Sequence, residues 1–219
     1  MNELKKRASG VLMHISSLPG KYGIGTMGKE ARTFVDRLAA SGQSYWQILP
    51  VGPTSFGDSP YQSFSTFAGN PYFIDPEILC SEGFLFSDEI ENENWGSDEL
   101  NVDYGLLYEK RGKMFHSVYE HFSKNIPADF ENFCRENAFW LEDYALFMAI
   151  KDEHGGKAFG TWEDGIKRRE ESALCDWKKK CVRGTEYYKM LQYFFFKQWN
   201  SLKKYANDCG IKIIGDIPI

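Results

Sequence analysis

Short apolar runs and helical periodicities alternate along this chain. Residues 11–15 are apolar and lead into Leu18-Pro19-Gly20, which predicts a buried strand ending in a turn. Over 28–41 the spacing predicts a helix, with Phe34, Val35, Leu38 and Ala39 on one face and Gly42 as its stop. Residues 45–49 predict a second strand, halted by Pro50. A strand, a helix and a strand in this order imply parallel pairing through a right-handed crossover. From about 102 to 207 the pattern is mostly helical, most clearly over 140–151 and 185–206. In the latter, Leu191, Phe195, Trp199, Leu202 and Ala206 recur at helical spacing and predict a core-facing stripe. The run Phe194-Phe195-Phe196 belongs to that stripe rather than to a membrane face, because the opposite face carries only a few lysines. Gly210 caps this helix, and 211–214 opens a third strand just before the chain stops at Ile219. A strand in that position leaves an unpaired edge, so the sequence is expected to be part of a larger fold.

Two stretches fit neither period. Residues 44–73 carry eight aromatic rings and one charge, Asp58. From Pro53 to Pro71 this stretch is too rich in Gly, Pro and Ser for a helix or a long strand, so it is a loop. Rings on a surface loop need a partner chain or a flat, half-apolar ligand to cover them. A sugar fits, with C–H groups on its faces and hydroxyls on its rim; a loop packed on its own side chains is the alternative. Residues 82–103 are acidic and contain no Lys or Arg, and they predict a solvated connection without a calcium-loop pattern.

Composition narrows the classes. With 219 residues and 42% hydrophobic content, the chain can build one sizeable core, or one domain with an insertion. A net charge of −5 argues against a nucleic-acid partner. The basic clusters at 167–169 and 178–180 lie among acidic residues and read as solvated helix faces. Five cysteines without a C-x-x-C pair, and four histidines without ligand spacing, predict reduced thiols and no metal site. The apolar run near the N-terminus is too short for a signal peptide or a membrane span, so a cytoplasmic protein without membrane contact is expected.

Gly23, Gly25 and Gly28 form a literal G-x-G-x-x-G. A dinucleotide fingerprint should follow its strand at once and be followed about twenty residues on by an acidic residue. Here seven residues intervene after Ile15, and the later position reads Gln47-Ile48-Leu49-Pro50. These glycines are expected to shape a rim loop; a nucleotide-binding α/β domain is the weaker alternative.

The order of several motifs is more specific. They are His14-Ile-Ser-Ser-Leu-Pro-Gly, Tyr22-Gly-Ile-Gly, Trp46-Gln-Ile-Leu-Pro-Val-Gly-Pro-Thr, Gly57-Asp-Ser-Pro-Tyr-Gln-Ser-Phe-Ser and Phe67-Ala-Gly-Asn-Pro-Tyr. Trp140-Leu-Glu-Asp-Tyr-Ala-Leu-Phe-Met-Ala, Gln192-Tyr-Phe-Phe-Phe-Lys-Gln-Trp and Ile214-Gly-Asp-Ile-Pro-Ile follow. Together they closely resemble the start of the 4-alpha-glucanotransferases (amylomaltases or disproportionating enzymes) of glycoside hydrolase family 77. The stretches 81–101 and 161–184 match least.

The resemblance implies an α/β fold: the N-terminal portion of a (β/α)8 TIM barrel, with about three strands plus a helical insertion, the barrel incomplete in this chain. On that template 1–80 holds strands one and two with the aromatic loop, 81–184 is a mostly helical insertion, and 185–219 is a helix and strand three. Chemistry would sit on the loops at the C-terminal ends of the strands. Tyr61 matches the tyrosine that stacks on the sugar beside the cleaved bond, and Asp216 the aspartate that bonds hydroxyls of that same sugar. Asp58 and Ser59 are assigned polar contact or loop support. Phe56 stands where many relatives carry a tyrosine of a second glucan-binding site. The implied reaction is transfer of α-1,4-glucan segments with retention, which needs two carboxyl groups about 5 Å apart. The resemblance puts the nucleophile, the acid/base and a third carboxylate beyond Ile219, so no catalytic residue is expected here, and the chain alone is expected to be inactive. The implied substrate is an α-1,4-glucan (maltooligosaccharide), with no cofactor. A non-catalytic carbohydrate-binding α/β module is the alternative.

Overall fold

In the computed structural model, which describes residues 7–55, 57–98 and 100–217, three short strands form one parallel sheet. They are β1 (Gly10–Leu12), β2 (Tyr45–Gln47) and β3 (Lys212–Ile214), in that spatial order. Tyr45 lies opposite Gly10 and Lys212, and Gln47 opposite Leu12 and Ile214, so all three strands end at the same rim. Both first strands are shorter than their apolar runs. After Leu12 the Met13 amide still bonds Gln47, but the chain then turns into a 3-10 helix, Ile15–Ser17. After Gln47 the Ile48 amide bonds Ile214 before Pro50, which has no N–H, ends the ladder.

Helix α1 (Lys29–Ala40) connects β1 to β2. Ala31, Val35 and Leu38 are its buried stripe, with Phe34 and Ala39 half-buried beside them. It ends as expected at Gly42, whose φ of 72° is open to glycine, with Gln43 N–H bonded back to Leu38. There follow α2 (Pro76–Ser81), α3 (Asp88–Glu91), α4 (Tyr104–Phe122), α5 (Phe130–Glu136), α6 (Ala138–Glu153), α7 (Asp164–Lys167), α8 (Glu171–Lys180) and α9 (Val182–Asp208).

The chain forms two compact units. One comprises the described residues up to His121 together with those from Phe194 on; the other is Phe122–Tyr193. The first contains the sheet, and Ile15, Val35, Trp46, Ile48, Ile74 and Leu79 make the centre of its core. In the second, Leu141, Ala145, Ala149 and Ile150 of α6 are buried, as are Trp162 and Ile166. Tyr188 and Tyr193 each donate a hydroxyl there, to Asp152 at 2.6 Å and to Asp129 at 2.7 Å. Along α9, Leu191, Phe195, Leu202 and Ala206 are buried and Trp199 is half-buried, as its periodicity predicts. Among the described residues no helix is long and apolar enough to cross a membrane.

The acidic stretch 82–103 differs from a solvated connection. Phe84, Leu85 and Ile90 are buried, and the Trp95 indole donates to the Ile90 carbonyl at 2.8 Å. Glu93 takes Lys110 at 2.9 Å and Lys113 at 3.0 Å, so α4 supplies the cations that the stretch itself lacks.

Candidate functional site

The aromatic loop leaves the C-terminal end of β2 and folds back on itself. Thr54 and Ser63 form an antiparallel bridge, and Ser55 N–H bonds Gln62. Between them lie two tight turns. Asp58 N–H bonds Ser55, with Gly57 at φ 94° and Asp58 itself at φ 55°. Gln62 N–H bonds Ser59, with Pro60 and Tyr61 at the centre. Proline sets the φ that the second position of such a turn requires, so this turn is built into Ser-Pro-Tyr-Gln. The Ser59 hydroxyl also accepts from the Tyr61 amide at 3.3 Å, and Asp58 takes the Thr54 hydroxyl at 3.5 Å. Both polar residues therefore support the loop. Phe56 lies outside the described residues.

Tyr61 is carried at the tip of that second turn, and 45% of it is exposed. Its hydroxyl donates to Asp216 Oδ2 at 2.7 Å. Asp216 follows β3, and its other oxygen accepts from the Ile217 amide at 2.8 Å. The hydrogen bond to Asp216 raises the Tyr61 pKa, so the phenol stays protonated at neutral pH. The structure thus brings Tyr61 and Asp216 together at the common rim of two adjacent parallel strands. Phe64 and Phe67 are also exposed on this loop, whereas Trp46 and Phe73 from its two ends are core. An exposed ring tied to a carboxylate offers what a pyranose needs: a face for C–H groups and acceptor lone pairs for hydroxyls.

The base of the loop rests on polar residues that periodicity does not reveal. Asn70 accepts from Tyr72 N–H at 3.0 Å, and Asp75 from Ile78 N–H at 3.0 Å; each stands before a proline at the start of a helical turn. Asn-Pro and Asp-Pro are sequence signals for these caps. Asp75 also takes the buried Thr26 hydroxyl at 2.6 Å, and its backbone is held from both sides by Gln198, at 2.7 and 3.2 Å. Arg111 is fully buried, donates to the Ile74 carbonyl at 3.0 Å and lies 5.5 Å from the Trp95 ring centre. Burial lowers its pKa to about 10, and the nearby Asp75 opposes the shift, so it remains a cation. His14, just past β1, packs edge-on against Phe73, and burial depresses its pKa to about 4.

The G-x-G-x-x-G glycines are accounted for by packing. A Cβ on Gly25 would overlap the Ile15 carbonyl, and one on Gly28 would overlap the Asp75 carboxylate. Gly25 N–H bonds Ser16, and Met27 N–H bonds Phe73, which ties this segment to the rim. A cleft of about 540 Å³ lies between α1, α2 and α9, and neither Tyr61 nor Asp216 lines it.

The family model for 4-alpha-glucanotransferase, glycoside hydrolase family 77, matches residues 13–219. The chain is 48% identical over 207 residues to the 4-alpha-glucanotransferase of Clostridium butyricum, covering 94% of this chain and 42% of that protein. It is 49% identical over 218 residues to the Streptococcus pneumoniae serotype 4 enzyme, covering 99% and 43%. Among solved structures, the amylomaltase from Streptococcus agalactiae in complex with acarbose superposes with a TM-score of 0.93 at 51% identity, over 97% of this chain and 43% of that one. The chain spans less than half the length of these relatives, and its three parallel strands and helices are a portion of an α/β barrel. With this match over nearly all of its length, the chain belongs to the 4-alpha-glucanotransferase family, glycoside hydrolase family 77.

Proposed function

We propose that this protein serves in 4-alpha-glucan transfer, and that Tyr61 and Asp216 hold one glucose unit of an α-1,4-glucan beside the bond to be cleaved. The observation that carries this reading is the 2.7 Å hydrogen bond joining the two side chains across neighbouring strand ends, at an exposed rim. The Tyr61 ring packs on the C–H face of the sugar. Asp216 accepts from its hydroxyls, and Asp58 and Ser59 keep the loop in place and bond the sugar's rim.

In the complete reaction a carboxylate attacks the anomeric carbon while a second carboxyl protonates the departing 4-oxygen. The resulting glucosyl ester is then attacked by the 4-hydroxyl of an acceptor glucan, whose proton passes to the second carboxyl. Those carboxyls are expected beyond residue 219, so these 219 residues bind glucan without transferring it. Acarbose occupies the Streptococcus agalactiae relative and is the natural probe here. Titrated by calorimetry into the purified chain, it should bind, and Tyr61→Ala or Asp216→Asn should weaken binding at least tenfold. Unchanged affinity in both variants would remove these residues from the site. Glucose released from maltotriose above a blank would refute the inactivity of the chain alone.

A further inference from the structure

The unit Phe122–Tyr193 holds a pocket of its own, about 280 Å³, between α6, α7, α8 and the Phe159–Thr161 turn. Its wall is aromatic. Phe147, Phe159 and Trp162 pack with ring centres 5.1 to 6.2 Å apart. Trp162 is buried and fixed by its indole N–H on the Lys157 carbonyl, while Phe159 is 44% exposed. At the mouth Arg169 Nη2 donates to both carboxylate oxygens of Asp143, each at 2.9 Å. The guanidinium Nη1 and Nε take no part in that fork, and each Asp143 oxygen keeps acceptor capacity. Lys167, also at the rim, is paired with Asp164 at 2.8 Å.

These features select a ligand class. Both cations at the mouth are matched by carboxylates, so nothing there favours a phosphate or an acidic peptide. The volume is just below the range of ordinary ligand pockets, room for one or two six-membered rings and too little for a helix. A carbon-lined floor with a donor–acceptor fork at its edge suits a neutral molecule with apolar faces and vicinal hydroxyls. We propose that this pocket is a further carbohydrate site, distinct from the one the resemblance implies at Phe56, holding a pyranose unit of an α-1,4-glucan against Phe159, with Asp143 and Arg169 bonding its hydroxyls. The choice of glucan rests on the functional reading above; the choice of a neutral polyhydroxylated ring rests on the pocket alone. The site lies on a unit separate from the sheet, so a long glucan can be held there independently of the Tyr61 rim.

Hydrogen–deuterium exchange of the 219-residue chain with maltoheptaose tests this. Slower exchange is expected in peptides spanning 143–150 and 159–169, and it should persist in the Tyr61→Ala, Asp216→Asn double variant. Phe159→Ala should raise the maltoheptaose concentration for half-protection of those peptides at least fivefold. Arg169→Gly should do the same. Arg169 stands at φ 57°, a conformation glycine adopts freely, so this variant removes the fork without straining the backbone. Protection confined to the peptides around Tyr61 and Asp216 would overturn the further site and leave the rim reading intact. Protection nowhere at millimolar maltoheptaose would overturn both. Protection at 159–169 unaltered in both pocket variants would also overturn it.

Discussion

Replacing Asp75 by alanine should loosen the support beneath the aromatic loop, and the size of the effect follows from three contacts. First, the carboxylate caps α2 through the Ile78 amide at 3.0 Å; losing such a cap costs about 1 kcal/mol. Second, it accepts the Thr26 hydroxyl at 2.6 Å, and both residues are buried; stranding that donor costs about 1–2 kcal/mol. Third, it lies against Gly28 at the start of α1, where a negative charge is worth about 0.5 kcal/mol. Together these come to about 3 kcal/mol, which in a chain of this size lowers the melting temperature by about 6–12 °C. Asp75→Asn keeps the oxygen that caps Ile78 and turns an NH2 donor toward Thr26, whose hydroxyl can reverse and accept from it, so with the charge lost it should cost about 1 kcal/mol. Urea unfolding followed by circular dichroism, with thermal melts beside it, measures both. The reasoning fails if alanine costs less than about 1 kcal/mol, or if asparagine is as damaging as alanine, since either outcome would mean that acceptor geometry is not what Asp75 supplies.

Gly28→Ala should destabilise by about 1–3 kcal/mol through overlap with that carboxylate, and by much less in the Asp75→Ala background; a double-mutant cycle with no coupling would contradict the contact. His14 supplies a pH dependence. Its folded pKa of about 4 lies below the usual 6.5, so the unfolded chain binds the extra proton first as pH falls. Stability attributable to neutral His14 is complete above about pH 6.5 and is lost toward pH 4, to the extent of about 3 kcal/mol. His14→Gln should flatten stability across that window, and an unchanged slope would show that another group sets it.

The helices were legible where one face alone meets a core, as with Ala31, Val35 and Leu38, and the three strands were legible as short apolar runs. Strand ends were not, because the 3-10 turn after His14 depends on backbone bonds rather than on hydropathy. Tyr61 and Asp216 were found through motif resemblance alone. No periodicity links them, since they meet through the folded-back loop after β2 and the parallel register of β2 with β3. Asn70 and Asp75 carried a readable signal, an Asx residue before proline, that lay outside the helical windows. Arg111 carried one too, as a charged residue standing in the stripe formed by Leu107, Phe115, Val118 and Phe122. Within 82–103, acidic composition hid Leu85 and Ile90, which are buried, because the cations balancing the stretch lie on α4.

The bond between Tyr61 and Asp216 spans 155 positions of sequence, yet its two ends are set locally, by the turns of the loop after β2 and by the short stretch after β3. The compact unit Phe122–Tyr193 carries neither side chain, so it is free to lengthen, shrink or diverge in evolution while both are kept. Descendants can acquire new accessory segments there while inheriting the same paired tyrosine and aspartate.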